Sequence, residues 1–316
     1  MTTSPPPAGI HTRPAELLQR LIQFDTTNPP GNELPCIDYI DGLLHDAGIA
    51  TQRYAKTPGR PSLLARLPGR GEAPPLLLYG HVDVVTTVNQ QWQHPPFGGE
   101  IHDGFVWGRG ALDMKGGVAM MTAAFLRAKI ENLSLPGDVI LAIVPDEEAG
   151  GQYGARFLVE QHPDLFAGVK YAIGEFGGFS MNVSGQKLYP IMVAEKQMCS
   201  MRATVRGRGG HGSMPVRGGA MARLSRLLRR LDQNWLPIHV TPPVRAMVEA
   251  MAAKVGGAKG AALRQLLNPA TAEAVLGLLG PQRSVFEPLL RNTVSPTGLH
   301  ASDKINVIPS QVSVDL

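Results

Sequence analysis

The stretch Pro75-Leu76-Leu77-Leu78-Tyr79-Gly80-His81-Val82-Asp83 decides how this chain is read. Its apolar run has the length and continuity of a strand buried on both faces, as in a parallel sheet covered by helices. The run ends at a histidine and an acid. Two later runs repeat this design. Val139–Val144 ends at Pro145-Asp146-Glu147-Glu148, and Tyr171–Gly174 ends at Glu175. Helical patterns lie between and around them, at Pro14–Phe24, Cys36–Ala47, Gly116–Ile130 and Gly150–His162, and Ser62–Leu67 adds a short strand. Strands alternating with helices predict an α/β fold with a mainly parallel sheet flanked by helices. In such sheets ligands collect beyond the carboxyl ends of the strands, so residues distant in sequence converge on one rim.

Composition narrows the class. The chain has 316 residues, 43% hydrophobic and 18% charged, which excludes a disordered or fibrous protein. No apolar run is long enough to cross a bilayer, and no secretory signal is visible at the N-terminus. Two cysteines, Cys36 and Cys199, cannot make a disulfide framework, and a cytoplasmic location is expected. A net charge of +4 is too small to argue for nucleic acid. The short Arg206–Gly210 stretch and the arginine-bearing helix after it lack interleaved aromatics, so neither nucleic acid nor membrane is expected as a partner. Glycine and proline, 36 and 27 residues, make up about a fifth of the chain, against an average of about 12%. They cluster beside His, Asp and Glu, where backbone must turn sharply or approach a ligand.

Four groups carry the chemistry. On an extended strand His81 and Asp83 face the same side, which suits a metal ligand and the group that orients it. Asp113, in Gly108-Arg109-Gly110-Ala111-Leu112-Asp113-Met114-Lys115-Gly116-Gly117, precedes a helix. An ordinary N-cap would explain the acid, but not the glycines and arginine around it. Asp146-Glu147-Glu148 places three acids together at a strand end, a repulsion that a cation would offset. Glu175 closes the third run. Successive groups lie about 30 residues apart, the span of one βα unit. Carboxylates with a histidine suit zinc, manganese or cobalt, and more than three anionic groups at one place suggest two ions sharing a carboxylate.

The ordered set GHVDVV (80–85), W-x-x-x-P-F-x-x-x-x-x-D-G-x-x-W-G-R-G-A-x-D-M-K-G-G (92–117), DEEAGG (146–151), GE (174–175) and GGHGSMP (209–215) resembles a family of two-metal hydrolases. These are the aminoacylases, glutamate carboxypeptidases, acetylornithine deacetylases and succinyl-diaminopimelate desuccinylases. The resemblance implies metal ligands His81, Asp113, Glu148 and Glu175, with Asp113 bridging two Zn2+ ions (Co2+ or Mn2+ as alternatives) and Asp83 orienting His81. It implies Glu147 as general base, His211 as the group that stabilises the oxyanion, and Asn306 of N-V-I-P as a substrate contact. The activity implied is hydrolysis of an amide bond in a small peptide or N-acyl amino acid. Lys196, Arg202 and Arg217 are candidates to meet a substrate carboxylate.

Residues 1–195 are expected to form the metal-binding catalytic domain. Residues 196–316 are expected to form part of an inserted, smaller α+β, ferredoxin-like lid and dimerisation domain, through which the chain would form a homodimer. The family's returning catalytic segment, with its final histidine ligand, has no counterpart before Leu316. His94, His102, His162, His239 and His300 read as surface or turn residues, not replacements. The chain is therefore expected to be truncated, and the alternative reading is a catalytically impaired or non-catalytic fragment of the same fold.

Overall fold

The structure, a computed structural model, describes residues 9–176 and 180–316. The proline run at 5–7 and the Gly177–Gly178 pair lie outside them. The chain divides into two compact units, up to residue 177 and from 178 onward. The expected division between residues 195 and 196 falls inside the second.

In the first unit α1 (Pro14–Ile22) and α2 (Leu34–Asp46) precede β1 (Thr51–Tyr54), β2 (Ser62–Leu67) and β3 (Leu76–His81). A hairpin of β4 (Glu100–His102) and β5 (Phe105–Trp107) leads to α3 (Lys115–Ile130), then β6 (Val139–Val144), α4 (Ala155–Gln161) and β7 (Tyr171–Ile173). The sheet order is β1-β2-β6-β3-β7. β3 runs parallel to both β6 and β7. β2 is antiparallel to both β1 and β6, so the sheet is mixed and its parallel part is the three strands that end in acids or histidine. β7 is not buried as its apolar run suggested. It is an edge strand, with Tyr171 67% and Ile173 53% exposed.

One core packs α1, α2 and α3 against one sheet face through Leu17, Leu21, Ile37, Leu44, Leu63, Phe125 and Leu141. A smaller cluster on the other face joins Leu64, Ala142 and Val144 to Leu158 of α4. Gly80 sets the approach of α3 to β3. A Cβ there would lie 2.9 Å from Val118 Cγ2 and 3.0 Å from Met121 Cε. The helix expected over Gly150–His162 starts only at Ala155, because Glu147–Ala149 forms a 3-10 turn and Gly150 and Gly151 take positive φ.

The second unit opens with a hairpin, β8 (Met181–Val183) and β9 (Gln186–Leu188). β10 (Arg202–Arg206) and β11 (Gly210–His211) follow, then five helices: α5 (Ala220–Gln233), α6 (Pro242–Val255), α7 (Gly257–Arg264), α8 (Pro269–Leu278) and α9 (Arg283–Leu290). β12 (Gly298–His300), β13 (Val307–Ile308) and β14 (Gln311–Asp315) come last. An antiparallel sheet β10-β14-β12 is covered by α5 through Ala220, Leu224, Val312 and Val314. The four later helices form a separate cluster around Val248, Leu266, Leu276 and Phe286. Among the described residues no helix is long and apolar enough to cross a membrane.

Candidate metal centre

Parallel pairing of β3 with β6 and β7 brings the ends of three strands to one rim. His81, the last residue of β3, is fully buried. Its Nδ1 lies 3.0 Å from the backbone oxygen of Asp83, which fixes Nδ1–H as donor and turns Nε2 outward. Around Nε2 stand Asp113 Oδ1 at 3.1 Å, Glu147 Oε2 at 3.8 Å and Glu175 Oε2 at 3.9 Å. His81, Asp113 and Glu175 each offer a donor atom within 4.8 Å of the others. Asp113 does not cap α3. Met114 holds that position without a side-chain bond, and the Asp113 carboxylate, 54% exposed, points to His81.

The Asp83 carboxylate does more than face the imidazole at 3.4 Å. It accepts the backbone N–H of Glu147 at 3.0 Å and of Glu148 at 3.1 Å. It thus ties the turn after β6 to the end of β3. Sequence alternation foresaw the nearness of His81 and Asp83, but β3 stops at His81 and the contact forms just beyond it.

Charge is badly matched here. Burial penalises the charged form of His81, yet the hydrogen bond and charge of Asp83, with Glu147 and Asp113, push its pKa up to about 9. Burial and the charge of Asp113 push Glu148 up to about 7. Glu175 is raised by the same two causes. Asp83 is lowered: burial opposes this, but the bonds from His81 and Asn28 prevail. Four carboxyl groups, Asp113, Glu147, Glu148 and Glu175, crowd one imidazole, so the rim is short of positive charge. Nitrogen and carboxylate donors in that state fit a borderline-to-hard divalent ion.

The profile of peptidase family M20/M25/M40 matches residues 77–282. The chain belongs to this family. It is 32% identical over 231 residues to succinyl-diaminopimelate desuccinylase of Cereibacter sphaeroides, covering 71% of this chain and 57% of that protein. It is 26% identical over 217 residues to aminoacylase-1 of Sus scrofa, covering 68% and 52%. The chain spans little more than half the length of these curated relatives. Human carnosine dipeptidase 1 matches in fold with a TM-score of 0.62 at 18% identity, over 98% of this chain and 72% of that one. A metallo-carboxypeptidase from Sulfolobus solfataricus, described as M20, gives 0.58 at 16%, over 96% and 70%.

In this M20/M25/M40 chain the remaining sequence-derived residues lie in the second unit. β11 pairs with β13, setting His211 opposite Val307, and Gly212 N–H donates to the backbone oxygen of Asn306 at 2.8 Å. GGHGSMP and NVIP, nearly a hundred residues apart, are therefore neighbours. His211 Nδ1 lies 2.7 Å from Ser213 Oγ. Lys196 donates to the Pro288 and Arg291 carbonyls, and Arg202 pairs with Asp315. A second donor group, His94, Glu100 and His102, sits at the β4–β5 hairpin. The two imidazoles stack with centroids 3.7 Å apart at 10°, and one ion cannot lie in both ring planes.

Residue-by-residue reading of the sequence missed the support beneath the site. Asn28, Glu33, Arg60 and Lys115 are buried or nearly so, and all four bond within this region. The segment 25–33 read only as turn formers. A Thr-x-Asn alternation at 26–28, set to pair beside a strand end, was the available signal.

Proposed function

We propose that the chain supplies the metal-binding part of an amide-bond hydrolase acting on a small peptide or N-acyl amino acid. The convergence of Asp113, Glu147 and Glu175 on His81 Nε2 carries the reading. His81, Asp113 and Glu175 would hold one ion. Asp113 would share itself with a second ion held by Glu148. Zinc is the proposed ion, with cobalt or manganese able to replace it. Bound divalent ions would acidify water and polarise the substrate carbonyl. Glu147, adjacent to Glu148 in the turn, takes the proton of the attacking water and delivers it to the departing amine nitrogen. His211 donates to the oxygen on which negative charge develops, and Asn306, the residue before β13, helps hold substrate. The names of the relatives, a desuccinylase, an aminoacylase and a dipeptidase, support acyl-amino acids and dipeptides as substrates. Residues 196–316 are proposed to mediate a homodimer.

The test is hydrolysis of N-succinyl, N-acetyl and dipeptide substrates with added Zn2+ or Co2+. Glu147→Gln should lower kcat by about 10²–10⁴-fold while ion uptake persists. His81→Ala should abolish tight uptake at its site. Equal turnover by Glu147→Gln refutes the base assignment, and uptake untouched by His81→Ala refutes the metal centre.

A further inference from the structure

Behind the acidic rim lies a buried polar chain that neither the ligands nor the base explain. The segment after α1 runs beside the end of β3. Asn28 N–H donates to Val84 O at 2.9 Å, Val84 N–H donates to Thr26 O at 3.1 Å, and Thr26 Oγ1 donates to Val82 O at 2.5 Å. The two backbone bonds deliver the Asn28 side chain, only 5% exposed, into the space between two acids. Its Nδ2 lies 2.8 Å from Asp83 Oδ2 and 3.2 Å from Asp146 Oδ1. Asp83 and Asp146 are themselves buried, at 0% and 2% exposed.

The two acids hold different parts of the site. Asp83 follows His81 and accepts the N–H groups of Glu147 and Glu148. Asp146 begins the turn that bears those glutamates, with a left-handed φ of 72°, and its Oδ2 accepts Tyr153 N–H at 3.0 Å. A carboxamide has two N–H donors on one nitrogen and no charge. It can bind both carboxylates at once without changing the charge of the rim. Alanine offers no donor. Aspartate, of the same shape, offers none when ionised and adds a third acid.

We propose that Asn28 is a positioning residue. Its amide bridges Asp83 and Asp146, and so fixes the turn of Glu147 and Glu148 relative to His81. The consequence for ion binding rests on the metal-centre reading above, whereas the bridge itself does not.

Two measurements on the full 316-residue chain separate them. The first is hydrogen–deuterium exchange of the peptide covering 145–153 in ion-free protein. Asn28→Ala and, more strongly, Asn28→Asp should speed exchange of the Glu147 and Glu148 amides by about tenfold or more. Thr26→Val, which loosens the same segment without touching either acid, should leave them within about threefold of the parent. Unchanged exchange in Asn28→Asp, or equal acceleration in Thr26→Val, overturns the bridge. The second is Co2+ titration by calorimetry and visible absorption. Asn28→Ala should weaken Co2+ by about 10–100-fold and shift its visible bands, with Thr26→Val near the parent. A parent that binds Co2+ as tightly as Asn28→Ala overturns the positioning role and leaves the metal centre standing. A parent that takes up no Co2+, with exchange still responding to Asn28, overturns the metal centre and supports the bridge.

Discussion

Asp83 accepts the backbone N–H of Glu147 at 3.0 Å through a carboxylate that is wholly buried. The bond joins the ends of two adjacent parallel strands. Replacing Asp83 with Asn keeps one acceptor oxygen but turns an amide N–H₂ toward donors, either the Glu147 N–H or the Glu148 N–H and the Asn28 amide. Each buried donor left unpaired costs about 1–3 kcal/mol. Asp83→Asn should therefore lose about 2–3 kcal/mol in urea unfolding. A variant as stable as the parent would show that the turn does not depend on this acceptor.

Arg60 should matter as much, for the opposite charge. Its guanidinium pairs with Glu33, fully buried, and reaches Asp146 at 3.3 Å. Truncation strands the buried Glu33 carboxylate and removes the cation beside Asp146, and breaking such a buried pair costs about 3–5 kcal/mol. Arg60→Ala should fall in that range by denaturant titration, and the double variant Arg60→Ala, Glu33→Ala should recover part of the loss. No recovery would mean that packing, including the Arg60–Tyr153 contact at 5.0 Å, carries the effect.

The two cysteines should separate cleanly. Cys36 is buried in the core, where burial pushes its thiol up to about 11, while Cys199 is exposed. At pH 8 only about one Cys36 in a thousand would be thiolate, in a site that reagent does not reach. Alkylation of native protein followed by peptide mass spectrometry should label Cys199 quickly and Cys36 only on unfolding. Rapid labelling of Cys36 would contradict its place on the buried face of α2.

Acid should act on the second unit through Asp315. The bond from Arg202, and then that from His300, lower its pKa from 3.8 to about 2. A folded value below the unfolded one means that the contribution is complete above about pH 4 and is lost as pH falls through about 2. Asp315→Asn should flatten the acid limb of stability between those values without shifting the neutral plateau. A carboxyl titrating near 3.8 by NMR would refute the coupling.

Much of this was legible in the chain itself. Val139–Val144 is a strand with the bounds its apolar run set, and α3 begins one residue before the Gly116 start read from spacing. His81, Glu147 and Glu175 stand together because β3, β6 and β7 run parallel and return their carboxyl ends to one rim. Asp113 reaches His81 from the loop before α3, and the acid turn expected to supply Glu148 as a ligand also sets Glu147 near His81. Local pattern failed where exposure depended on position in the sheet. β7 has the apolar content of a central strand but stands at an edge. The helix expected from Gly150 starts late because the site's turn consumes the residues before Ala155.

The sequence by itself determined which chemical groups were present and, through the period of its apolar residues, that they would meet. Tertiary structure alone decided what holds them. Asn28, Asp83 and Asp146 lie in three separate segments, and nothing local in any of them names the others as partners. Only burial, which withdraws water and obliges each polar atom to find a protein partner, makes that set necessary.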